Sequence, residues 1–229
     1  MKQVVAPILS SERHAGPNLL MLTLIYLPFL FFGGRVSASF HIPADTPDKA
    51  VAFVASNSAA IRWGSFFVLA SAIVLGIFFA TSVSRLRFLG IRAAGESIAT
   101  LGGTLAVAFL MLSALSTWSL TRPGVAASPG AVHALQALGF IGGGPGFAVN
   151  LGLFLAGVSV AAGLHKLVPM WVMWPGIIIA LACELASFTL VNFTAGYLIP
   201  VGRFLSILWM LAISLKLPAS KPFLQPAQE

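Results

Sequence analysis

Six runs of mostly apolar residues, at about 18–34, 60–83, 97–119, 145–164, 170–192 and 197–216, divide this chain. Each is close to the roughly 20 residues a helix needs to cross a hydrocarbon layer about 30 Å thick. Inside such a layer a segment must satisfy its own backbone polar groups, which a helix does. A soluble fold is excluded by composition: 58% of the 229 residues are hydrophobic and 8% are charged, against about 25% charged in soluble domains. A soluble core cannot absorb that much apolar surface, because folded domains still expose much of their area to water. The expected fold is all-α, an integral membrane bundle of six transmembrane helices over 18–217. Residues 1–17 form an N-terminal segment and 218–229 a C-terminal tail.

The net charge of +7 does not point to nucleic acid, since the 13 Lys and Arg are scattered between apolar runs and a nucleic-acid footprint needs clustering on one face. They orient the helices instead. With the amino terminus in the cytoplasm, Lys2, Arg13, Arg85, Arg87, Arg92, Lys166, Lys216 and Lys221 lie inside. Arg35, Lys49, Arg62, Arg122 and Arg203 lie outside. The excess places both termini in the cytoplasm and the protein in a cell inner membrane. The first run also resembles a signal peptide, with Val36 and Ala38 as small residues before a cleavage site. Its 18-residue lead-in is long for that purpose, and it reads as a retained anchor.

Two outer segments carry structure of their own. In "IPADTPDKAVAFVASNSAAIRWG", Thr46 reads as an N-cap, Pro47 as the first helical residue and Asp48 as a first-turn acid. A short surface helix over about 47–57 follows, with Val51, Phe53 and Val54 lying on the membrane or covering the bundle. In "SPGAVHALQALGFIGGGPGFAVN" the length exceeds one crossing. The run Gly142, Gly143, Gly144, Pro145 and Gly146 should break any helix, because Gly is permissive and Pro lacks a donor. A second short outer helix over about 130–140, a break, and a crossing from about 146 are expected.

Most catalytic chemistry finds no support. The glycine run lacks the Lys and Ser or Thr of a phosphate loop; it reads as a helix break with close backbone packing, or as a ligand-lining one. The four histidines, His14, His41, His133 and His165, avoid span centres, which argues against bis-haem ligation. Neither HExxH nor a Cys/His set occurs, so no metal is expected, and Lys216 sits at a span end where snorkelling suffices. The single Cys183 lies in an apolar run and reads as a small buried hydrophobe. Serines such as Ser113, Ser116, Ser119 and Ser187 have no positioned base and more naturally bond helix backbone. Pairs such as Gly152/Ala156 and Gly157/Ala161, and Gly102 and Gly103, mark helix faces where backbones approach closely. No cofactor is implied.

The charges inside spans remain. In "IIIALACELASFTLVN", Glu184 sits about eight residues from the outer end of its span, on the order of 12 Å deep. An ionisable group there costs roughly 2.5–3.5 kcal/mol and is a functional hypothesis by default. Arg62, Arg122 and Arg203 are the candidate partners. Arg203 follows across the short turn "FTAGYLIPVG", and antiparallel neighbours so joined should pack side by side, so a bidentate Glu184–Arg203 pair is expected. Whether that pair is structural or faces a ligand stays open. His133 and Asn150 fall in the same outer half. Glu96 begins the third run, where an acid at a helix N-terminus is favourable.

The order of parts resembles the DUF4386-type family of small bacterial multi-pass membrane proteins of unknown function. The resemblance rests on the first span, the outer "IPADTPDKAVAFVASNSAAIRWG" segment leading to Arg62, and the closing "YLIPVGRFLSILWMLAISLKLP". It covers about half the chain, implies a bacterial inner-membrane helical protein and supplies no catalytic residues. The function expected from the residues is non-enzymatic: binding or passing a small amphipathic or lipid-like molecule through an outward-facing cavity near Glu184, Arg203, Arg62 and the glycine break. A structural or accessory subunit, packed against a partner or a second copy, is the alternative. A membrane-embedded lipid-modifying enzyme comes third, because no nucleophile, metal set or second carboxylate matches the depth of Glu184.

Overall fold

The computed structural model describes residues 9–36 and 46–224. His41, Ala38 and the first residues of the outer Pro/Asp segment lie outside the described residues, as do the chain ends 1–8 and 225–229. The elements are β1 (Leu9–Arg13), α1 (Leu19–Val36), α2 (Pro47–Phe88), α3 (Ala94–Ser119), α4 (Pro123–Ala126), α5 (Pro129–Ile141), α6 (Phe147–Leu164), α7 (Met170–Leu185), α8 (Leu198–Lys216) and β2 (Ser220–Leu224). It is an all-α bundle. Among the described residues five helical stretches are long and apolar enough to cross a membrane: Pro47–Phe88, Ala94–Ser119, Pro129–Leu164, Met170–Leu190 and Phe193–Lys216. The apolar helix Leu19–Gly34 is shorter. The chain is a multi-pass helical membrane protein.

The separate surface helix over 47–57 is not formed. Thr46 does cap a helix, its hydroxyl accepting from Lys49 N at 3.5 Å, with Pro47 and Asp48 in the first turn. That helix then runs without interruption to Phe88, 42 residues in all. The reason is local: the "SNSAA" stretch at 56–60 contains neither Gly nor Pro, so nothing stops the backbone ladder. At 1.5 Å per residue α2 is about 63 Å long, twice the hydrocarbon thickness, so its N-terminal end extends beyond what one crossing needs. That end covers α4 and α5, with Ala50, Val54 and Ile61 buried against Leu120 and Val132 in a small second apolar cluster.

The break is present and stays helical. Residues Gly142–Gly146 form one wide π-type turn between α5 and α6, and Gly144 alone departs from helical geometry (φ −93°, ψ −107°). Close packing explains two of these glycines. A Cβ on Gly142 would lie 3.1 Å from Phe109 O of α3, and one on Gly146 would lie 2.7 Å from the Phe109 ring. Beyond α7 the chain tightens into 3₁₀ turns at Ala186–Leu190 and Phe193–Tyr197, where one continuous span to 192 was expected.

The tails were expected as plain cytoplasmic segments, but β1 and β2 pair antiparallel from Leu9 opposite Leu224 to Arg13 opposite Ser220. The segments that carry β1 and β2 therefore meet at one end of the bundle, here the terminal end; the opposite end is the distal end. Lys221 pairs with Glu12 at 3.3 Å. Arg85 of α2 ties the same end together by donating to Leu217 O at 3.4 Å, at the close of α8. Arg87 donates to Glu96 at 2.6 Å, so the acid that opens α3 is held by a cation as well as by the helix N-terminus.

His14 docks the N-terminal segment onto α2. Its Nδ1 accepts from Gly16 N at 3.1 Å, which fixes the tautomer with the proton on Nε2, 3.0 Å from Ser84 Oγ. Burial and, secondly, the Arg85 charge lower its pKa below the ordinary 6.5. The folded state thus prefers neutral imidazole. Its contribution to stability is fully present above about pH 6.5 and is lost as the pH falls from there through the lowered folded value. An NMR titration of the ring should give a midpoint below 6.5, and His14→Gln should flatten the acid-side decline in melting temperature. A midpoint above 6.5 would contradict the arrangement.

Candidate functional site

Helices α1 and α8 run antiparallel and touch toward the terminal end, where Thr23 Oγ1 and Ser214 Oγ are 3.3 Å apart. Toward the distal end a cleft of about 870 Å³ opens between them. Leu27, Leu30 and Phe31 of α1 form one wall, Ile199, Arg203 and Phe204 of α8 the other, and Gly143 and Gly144 of the π turn line it as well. Phe31 and Phe204 are 58% and 59% exposed, so the cleft is open sideways, toward the surface that faces lipid.

Among the described residues Arg203 is the one charged residue in this lining, and it is 6% exposed. Its position follows from the break. In a regular helix Gly143 O would accept from the N–H of residue 147, but Phe147 N turns to Gly142 O and Gly144 O instead. The Gly143 carbonyl accepts from Arg203 Nη2, and the guanidinium carbon lies 4.7 Å over the Phe147 ring. Hydrogen bond and cation–π contact together fix the orientation of the fork. Asn150 supports the same turn from below, donating to Gly146 O at 2.7 Å.

The expected Glu184–Arg203 ion pair is not formed. The α7/α8 contact is made by Cys183 and Gly202, a Cβ on Gly202 having no room beside the Cys183 sulfur. One residue further along a helix is a turn of about 100°, so Glu184 and Arg203 both swing out of that contact. Glu184 Oε1 comes to rest against Gly152 of α6, 2.8 Å from where a Cβ would stand. It has no hydrogen-bond partner among the described residues. Depth arithmetic placed the two at one height; the direction around each helix separated them.

The remaining sequence candidates also lie away from the cleft. Arg62 is exposed on α2. Arg122, just before α4, stacks 5.0 Å over Trp118. His133 is half-buried on α5, with Nδ1 enclosed and without a partner among the described residues. Of the residues singled out in the sequence, the cleft lining brings together Arg203, Gly143 and Gly144. The aromatic mouth, Phe31 with Phe204, was missed, because a phenylalanine in a span carries no local mark of facing a cleft. No group of three or more potential metal ligands occurs among the described residues. No family model, curated protein or solved structure matches the chain.

Because Glu184 meets neither Arg203 nor the cleft, Glu184→Gln should leave ligand binding unchanged and cost less than about 1 kcal/mol in stability. Denaturant unfolding in mixed micelles measures this; a larger loss would reveal a partner for the carboxylate.

Proposed function

We propose that this membrane protein binds, and on that basis can pass, a small amphipathic or lipid-like molecule through the lateral cleft between α1 and α8. One observation carries the reading: a buried arginine held in the wall of an otherwise mostly apolar cavity that opens toward lipid. An ionisable group inside a span is costly and is retained where it serves a polar pathway or ligand, and mostly apolar pockets of this volume with few fixed polar groups are typical of small-molecule sites. The expected neighbour of the ligand is thus Arg203 rather than a Glu/Arg pair.

The same proposal keeps both termini in the cytoplasm of a bacterial cell, with the cleft toward the outer leaflet. Arg13, Arg85, Arg87, Arg92, Lys166, Lys216 and Lys221 belong to segments at the terminal end, which is the side that positive residues mark as inside. Membership of the DUF4386-type family would agree with this placement.

Native mass spectrometry of protein extracted gently from its membrane is the test. The wild type should carry an adduct of defined mass in near-stoichiometric amount, and Ile207→Trp, which fills the cleft from a half-buried lining position, should lose it. Identical spectra for the two, or no adduct in the wild type, would refute the proposal.

A further inference from the structure

We infer that the terminal end of the bundle carries a site separate from the cleft, which takes the head group of an anionic phospholipid with its phosphate against Arg13. An open pocket of about 620 Å³ lies there between residues 12–16, at the end of β1, and the last turn of α2. Arg13 and His14 line it from one side, and Ser84, Arg87 and Phe88 from the other. Its walls are fixed before anything binds. His14 is held by Gly16 N and Ser84 Oγ, and its ring meets that of Phe88 edge-on with centroids 5.4 Å apart. Lys221 of β2 lies 4.8 Å over the same Phe88 ring.

The charges present select an anion. Glu12 of the lining is engaged by Lys221, and Arg87 by Glu96. Arg13 is exposed at the rim and within electrostatic reach of Arg85, which in turn reaches His14. Arg85 itself donates to a neutral carbonyl, Leu217 O. Two guanidinium groups so close repel each other, and one anion beside them relieves both. A guanidinium presents paired N–H donors matched to phosphate oxygens, and an ionised acceptor roughly doubles the strength of such bonds. Position then favours a lipid over a soluble phosphate. Arg87 and Phe88 close a membrane-crossing helix, so the pocket stands where hydrocarbon gives way to head groups, and basic residues at that level attract anionic lipid. A lipid anchored in the bilayer also reaches the pocket at a high effective concentration, which a soluble anion does not.

The experiment titrates the full-length protein in detergent with phosphatidylglycerol, phosphatidylcholine and glycerol 3-phosphate, each read by native mass spectrometry. Phosphatidylglycerol should bind about tenfold more tightly than phosphatidylcholine, whose head group carries its own counter-charge. Arg13→Gln, at an exposed position, should remove that preference. Arg92→Gln takes the same charge from the same end of the bundle but from outside the pocket lining, and should keep it. Ile207→Trp, which fills the lateral cleft, should keep it too, which separates this site from the one proposed above. A phosphate beside the imidazole favours its charged form, so the titration midpoint of His14 should rise when phosphatidylglycerol replaces phosphatidylcholine, and should stay in place in Arg13→Gln. Equal binding of the two lipids, or an equal loss of preference in Arg13→Gln and Arg92→Gln, overturns the site in favour of diffuse attraction. Binding of glycerol 3-phosphate as tight as that of phosphatidylglycerol overturns the lipid in favour of a soluble phosphate.

Discussion

Gly102→Leu is expected to destabilise the bundle by at least about 3 kcal/mol, the upper end of what overpacking costs. A Cβ at this position of α3 would stand 2.6 Å from Phe154 N and 2.7 Å from Asn150 O of α6. Both obstacles are backbone, so no side-chain rotation relieves the clash and the helices must move apart. The contact is reciprocal lower down, where a Cβ on Gly157 of α6 would press on Gly95 O and stand 2.7 Å from Ala99 N. In a bilayer, where lipid is as apolar as leucine, such close approach supplies the attraction between helices that water supplies elsewhere. Losing it at the α3/α6 contact therefore removes more than one side chain's packing. Gly130→Leu is the matched control, since nothing lies within 4 Å of a Cβ there. Unfolding by sodium dodecyl sulfate in mixed micelles should show a large shift for the first and almost none for the second; equal shifts would refute the argument.

Phe154→Ala should cost about 3–5 kcal/mol, the range for removing a fully buried aromatic ring. Phe154 is 0% exposed and joins three helices. Its ring centroid is 4.0 Å from that of Phe79 and 6.4 Å from that of Phe78, both of α2, and 6.2 Å from that of Trp209 of α8. Trp209 in turn donates to Val172 O of α7 at 3.2 Å, so the cavity left by Phe154 would border the element that ties α7 to α8. Because the surrounding helices are held elsewhere by the glycine contacts, the site cannot collapse to fill the space, and the cavity cost is felt in full. Phe66→Ala, on the exposed face of α2, should cost little by the same assay. Near-ultraviolet circular dichroism should show loss of fixed aromatic packing for Phe154→Ala alone.

Several features were legible in the residues themselves. The Thr46–Pro47–Asp48 cap, the "GGGPG" break and the close-packing glycines each rest on an interaction within a few residues or on the absence of a side chain, and each appeared where expected. The continuity of α2 was also legible in principle, because the 56–60 stretch holds no residue that stops a helix. A cap marks only where a helix starts, whereas the lack of a terminator decides how far it runs. The Glu184–Arg203 pair failed for a different reason. Rise along a helix is a one-dimensional quantity that residue counting supplies, whereas which way a side chain points depends on which residue occupies the contact. Cys183 and Gly202 occupy it, and that choice is made by the packing of α6, α7 and α8 together.

The pairing of β1 with β2 was beyond reach for a similar reason. Neither strand carries a hydrophobic alternation that announces it, and the two are brought opposite each other only by the packing of the helices between them. Arg203 was recognised as a residue of interest, yet its partner was not, because the carbonyl it holds is released only by the wide turn at Gly142–Gly146.

By itself, then, the amino-acid sequence determined the class of fold. Hydrophobic runs long enough to span a bilayer leave a helix as the economical way to satisfy the backbone, and glycine, proline and capping residues set where helices start and break. These are consequences of solvent and of local geometry. Tertiary structure alone decided which charges meet, which glycines touch backbone, and where a cavity opens. Those outcomes depend on rotation about each helix axis, a coordinate that apolar composition leaves nearly free and that only the mutual packing of neighbouring helices selects.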